Sequence, residues 1–257
     1  MNINPLHENR LIALPQKELA LAWLVENGPL VADPPLSMAA LRALVSDQRI
    51  LRLRSGLYLA PMADGHLPTL PRTIELVDPD GYISGHGALM LRGLNDQDIS
   101  RWYSITSHRQ ADIDYGPIQV HFVVSPARAA TAARTSFTAN GQLVSVATAA
   151  QALIDEVSLR PYGLDYIETT RVLRNTIESG QVTAKALVEI LIRFPSVAAA
   201  RRIGFMWEMG SSKIDPALLR IAHSQDGITH IAGDNIHEHT WRIFLPHSRA
   251  EIVGGIS

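Results

Sequence analysis

The stretch Ser37–Pro61, SMAALRALVSDQRILRLRSGLYLAP, changes its hydrophobic period part-way along. Met38, Leu41, Leu44 and Val45 recur at helical spacing, and Ser37 stands where a capping side chain belongs. From Leu51 the period becomes that of a strand. Leu51, Leu53, Leu57 and Leu59 alternate with Arg52, Arg54 and Tyr58. The stretch therefore predicts a short helix running into a tight, basic hairpin.

Side-chain chemistry fixes the expected register of that hairpin. A two-residue Ser55-Gly56 loop would mix arginines and leucines on one face. A loop of Arg54, Ser55 and Gly56 pairs Leu53 with Leu57 and Leu51 with Leu59, leaving Arg52 opposite Tyr58. A one-residue slip exchanges the faces, so the second register is expected, with the leucines turned to the first helix. Gly56 then takes the left-handed position of the loop. A helix followed at once by a basic hairpin is the working end of a winged helix-turn-helix, with the helix in the major groove and the wing on the backbone. The candidate DNA-binding residues are Ser37, Arg42, Arg49, Arg52, Arg54 and Tyr58. Arg42 can read a guanine bidentately, and Arg52, Arg54 and Tyr58 offer two cations and a phenol to phosphates. An ordinary amphipathic hairpin with a solvated face shows the same pattern.

Outward from this stretch, Leu14–Asn27 reads as a preceding helix. Pro15 stands early in it, and Leu19, Ala22, Trp23 and Glu26 form the expected stripe. Asn27-Gly28-Pro29 stops it. The outward positions of the second helix are read as Ala39, Ala40, Arg42, Ala43 and Ser46. Pro61–Pro71 holds three prolines and one glycine in eleven residues and reads as a linker. The expected organisation is a DNA-binding domain over 1–66 and a larger mixed domain over 67–257. In the latter, strands are expected at Tyr82–Ile83, Trp102–Ser107, Ile118–Ser125 and Leu143–Val146. Helices are expected at Arg72–Val77, from a Ser84 cap to Arg92, from a Thr148 cap to Val157, and over Leu164–Glu178, Thr183–Phe194 and Ser196–Met209. Asp215-Pro216 opens another, and His239–Leu245 returns to strand. The fold class is α+β, without the regular alternation of a doubly wound sheet.

Bulk properties narrow the function. The 257 residues contain no cysteine, which excludes disulfides and thiolate metal sites. No apolar run approaches the roughly 18 residues of a membrane span, and the N-terminus lacks signal-peptide character, so a cytoplasmic protein is expected. The net charge of −2 rules out a protein that is basic throughout. Yet Arg42 to Arg54 holds four arginines against one acid, Asp47, a local patch suited to a small DNA-binding module.

Other motifs carry less. Gly85-His86-Gly87 lacks the third glycine of a dinucleotide fingerprint, because Met90 stands in its place. Gly210-Ser211-Ser212-Lys213 lacks phosphate-loop spacing. His223, His230, His237, His239 and His247 cluster late, but His237 and His239 lack a clear third metal ligand. Asp155 and Glu156 are adjacent on a helix and point apart, which does not suit a paired acid and base. No enzyme activity, cofactor or metal is expected.

The stretch RILRLRSGLYLAP resembles the wing of AbiEi-type antitoxins and their relatives among winged-helix regulators. GYISGHGALMLRGL at Gly81–Leu94, VATAAQALIDEV at Val146–Val157 and RRIGFMWEMG at Arg201–Gly210 are similar to further stretches of that family. The family's two helices before the recognition helix are not matched, since Pro29–Leu36 is short and proline-rich. The resemblance implies a DNA-binding antitoxin of a type IV toxin–antitoxin pair. Its partners would be double-stranded DNA at its own promoter and a nucleotidyltransferase-like toxin. The alternative is a protein-protein interaction module built on a degenerate winged helix, without specific DNA binding.

Overall fold

A computed structural model describes residues 16–97, 100–139, 141–159, 166–231 and 236–256. The chain divides between Pro68 and Thr69 into two compact units. Helices and sheets mix in both, and the fold is α+β.

In the first unit α1 (Gln16–Glu26) is followed by β1 (Leu30–Ala32), α2 (Met38–Ser46), β2 (Leu51–Arg54) and β3 (Leu57–Leu59). The proposed start of α1, with Pro15, lies outside the described residues. Gly28, at φ +103° and followed by Pro29, ends the helix. Only the short strand β1 lies between the two helices. It joins the hairpin edge-on, giving an antiparallel sheet in the order β1-β3-β2. Ala20 and Leu24 of α1 and Ala40, Leu41 and Leu44 of α2 pack with Val31, Ile50, Tyr58 and Ala60.

This core corrects several expectations. In α1 the buried stripe is Ala20 and Leu24, while Leu19 is 55% exposed and Ala22 and Glu26 face solvent. QKELALAWLVE is apolar on nearly every side, so its period does not single out one face. In α2, Ala40 is buried, whereas Met38 is 49% exposed. In the hairpin, Leu51 pairs with Leu59 and Arg52 with Tyr58, and Gly56 has φ +74°. At the tip, however, Arg54 rather than Leu53 faces Leu57, with a bulge between Arg52 and Arg54. The faces are also exchanged. Tyr58 packs with the helices, and its neighbours Leu57 and Leu59 therefore point the other way, where they too are buried. The third strand makes β3 the central one, which no hairpin argument anticipates.

The second unit opens with α3 (Leu70–Val77), β4 (Tyr82–Ser84) and α4 (Gly85–Leu91). Then come β5 (Arg101–Thr106), β6 (Ile113–Tyr115), β7 (Ile118–Val124), α5 (Pro126–Thr131), β8 (Arg134–Ala139) and β9 (Gln142–Ala147). The six strands form one mixed sheet in the order β6-β7-β5-β4-β9-β8, parallel at β5/β7 and β4/β9. A helical layer follows: α6 (Ala149–Ser158), α7 (Tyr166–Glu178), α8 (Ala184–Arg193), α9 (Val197–Ser211) and α10 (Pro216–Ala222). Thr148, Thr183, Ser196 and Asp215 each accept backbone N–H bonds at the starts of α6, α8, α9 and α10. The tail adds β10 (Thr229–His230), β11 (Ile236–Glu238), β12 (Ile243–Leu245) and α11 (Arg249–Ile256). Residues His239–Arg242, expected as strand, form the turn between β11 and β12. Trp241 is fully buried, its indole occupying the space a Cβ at Gly204 would need. Its Nε1–H donates to Glu208 at 2.7 Å, and Arg249 binds both Glu208 at 2.7 Å and Glu238 at 2.9 Å.

Candidate nucleic-acid interface

Ser37 opens α2 by accepting the Ala40 N–H at 3.2 Å, which fixes the direction of the first turn. Met38, Leu41, Arg42, Val45 and Ser46 then share one side of the helix. With Arg52 and Tyr58 of the hairpin they line a groove of about 230 Å³, and none of these lining residues is acidic. Arg42 and Arg52 are exposed on its walls, and Arg54 is half-buried near the tip. The hairpin is braced from inside, where the Asp33 N–H donates to the Gly56 carbonyl at 2.6 Å. Asp33 itself is left-handed, at φ +44°.

The six candidate residues thus have different fates. Arg42 and Arg52 come together. Ser37 is a helix cap on the same helix. Arg49 turns back to α1, where it meets Glu18 at 2.5 Å, and Lys17 similarly meets Asp47 at 2.6 Å. Those pairs tie α1 to the end of α2 and leave Arg49 a bracing residue. Tyr58 is corrected outright: only 3% exposed, it is a core residue at the groove floor, because its face of the sheet packs against α1 and α2. Sequence reading missed Met38, the exposed apolar member of the groove. Its signal was its place directly after the cap, where a residue can stand clear of the helix-packing stripe.

A second polar cluster lies inside the other unit. Asp155 and Glu156 of α6 are both buried, at 0% and 2% exposure. Asp155 accepts hydrogen bonds from the Tyr82 hydroxyl at 3.0 Å, Ser84 Oγ at 2.6 Å and Gln151 Nε2 at 2.9 Å, and it pairs with Arg128 of α5. Ser84, expected as a helix cap, spends its hydroxyl there. Glu156 accepts from the His86 backbone N–H and the Tyr103 hydroxyl, both at 2.9 Å. Burial pushes the Asp155 carboxyl up, against the opposing pull of Arg128 and its hydrogen-bond donors. Burial also drives the Tyr82 and Tyr103 phenols far up, with Asp155 and Glu156 adding to it, so both stay protonated donors. The two carboxylates serve separate partners, and their geometry stitches β4, β5, α5 and α6 together. His237 and His239 touch, with ring centroids 4.1 Å apart, and among the described residues no group of three or more metal-ligating side chains forms.

No family model and no curated protein matches the chain. A solved structure does resemble it. The RV2827C protein from Mycobacterium tuberculosis superposes with a TM-score of 0.61, over 93% of this chain and 94% of that one. At 12% identity, this likeness concerns the fold alone. None of the described helices is long and apolar enough to cross a membrane.

Proposed function

We propose that the chain is a DNA-binding autorepressor and the antitoxin of a type IV pair, opposing a nucleotidyltransferase-like toxin. The first unit is read as a winged helix-turn-helix in which α2 is the recognition helix and β2–β3 the wing. The observation that carries this reading is the acid-free groove holding Arg42 and Arg52 together on a helix and a braced hairpin. Such a surface suits a polyanion. The antitoxin half rests on the family resemblance. Three of the resembling stretches form β4 with α4, the end of β9 with α6, and α9, and they pack against one another within the second unit.

Titration of the full chain against its own upstream DNA at several salt concentrations tests the first half. Arg52→Ala and Arg54→Ala should each weaken binding to that DNA and to random duplex alike, and flatten the salt slope by about one. Arg42→Ala should cost about 1–3 kcal/mol on the preferred sequence and much less on random DNA. The apolar groove floor of Leu41, Val45 and Tyr58 favours the second reading, an interaction module that takes a protein segment there. Salt-independent behaviour, with no binding to the upstream DNA, selects that second reading.

A further inference from the structure

We infer that Met38 is a sequence-reading residue, packing on the C5-methyl group of a thymine one or two base steps from a guanine held by Arg42. This rests on the DNA-binding reading above and adds the base that α2 selects. Met38 is the first residue of α2, and base-contacting positions concentrate at the N-terminal end of a recognition helix. It is 49% exposed although the helix buries Ala40, Leu41 and Leu44 beside it. Met38 and Arg42 are four residues apart and line the same groove. Side chains at that spacing stand about 5–6 Å apart on one face. Bases along a strand are about 3.4 Å apart, so the two side chains span one or two steps.

The exposed neighbours Ala39 and Ser46 are small, which leaves Met38 the longest apolar side chain on that face. Among base edges in the major groove only thymine presents a methyl group, and apolar side chains recognise it by contact. Arginines on the groove walls, without an acidic lining residue, argue for a nucleic acid rather than an acidic-and-basic protein surface.

The test starts from duplexes selected by the full-length protein out of a randomised library. The guanine read by Arg42 is the one whose selection disappears with Arg42→Ala. Deoxyuridine then replaces each thymine within two steps of it, removing only the methyl group. For the wild type, one such replacement should weaken binding about threefold to fivefold, the worth of one buried methyl. Met38→Ala should lose the same factor on the thymine duplex and show no further loss with deoxyuridine, while Met38→Leu keeps the discrimination. Equal sensitivity of wild type and Met38→Ala to deoxyuridine, or none in either, overturns the inference and leaves DNA binding standing. Failure to select any duplex overturns the proposed function together with it.

Discussion

Asp155 shows how a single residue can be misjudged from its neighbours in sequence. Next to Glu156 it reads as one of two diverging helix carboxylates, yet folding buries it fully against Arg128, Tyr82, Ser84 and Gln151. Its carboxyl is raised by burial, so its contribution to stability is complete below the ordinary value of 3.8 and declines as pH rises towards the folded value. Arg128 limits that decline. Arg128→Ala should cost about 3–5 kcal/mol at neutral pH, because an uncompensated charge remains in the core. Near pH 4 the deficit should shrink, since Asp155 then takes up a proton. Urea unfolding of both proteins at the two pH values measures this, and a pH-independent deficit would contradict it. The adjacency was legible; the burial was not, because Arg128, Ser84 and Tyr82 lie 27 to 73 residues away in sequence.

At the scale of elements, the sequence carried the hairpin well and its surroundings poorly. The alternation around Gly56 was enough for the left-handed glycine and two of the cross-strand pairs, but not for the loop, which is Ser55-Gly56 closed by Arg54 and Leu57 rather than the three residues expected. It was not enough for the orientation of the hairpin, because β1 is three residues long and lies beside prolines. All three residues of β3 are buried, Tyr58 against the helices and Leu57 and Leu59 on the other side, so leucine alternation does not distinguish core from surface. Similar reasons hid β6, β8, α5 and α11, which are short or exposed on an edge. The hairpin depends on Gly56 twice over: its φ is +74°, and a Cβ there would run into the Asp33 carboxylate. Gly56→Ala should therefore destabilise the first unit by about 1–2 kcal/mol from left-handed strain alone, more if Asp33 cannot move aside. Thermal unfolding followed by circular dichroism would register it, and an unchanged midpoint would mean that the tip relaxes freely.

For the whole molecule, the division at Pro68/Thr69 places the arginine groove in one unit and the buried carboxylate network in the other. The α+β class was readable in advance from the mixture of helical and strand periods. What the second unit presents to a partner was not, since the stretches that resemble antitoxins lie largely inside it. A full-length chain carrying Arg42→Ala, Arg52→Ala and Arg54→Ala should lose promoter binding yet still relieve toxicity when co-expressed with a cognate nucleotidyltransferase-like toxin. Loss of that relief in a folded triple variant would move toxin neutralisation to the first unit.

The bond from Asp33 to the Gly56 carbonyl and the pairing of β1 along β3 have a calorimetric consequence. A hairpin stitched along one edge has already surrendered its conformational freedom on folding, so a ligand that docks against it meets a preformed surface. The heat-capacity change of docking should then match the apolar area covered at the contact, without the larger negative increment that accompanies a segment ordering as it binds.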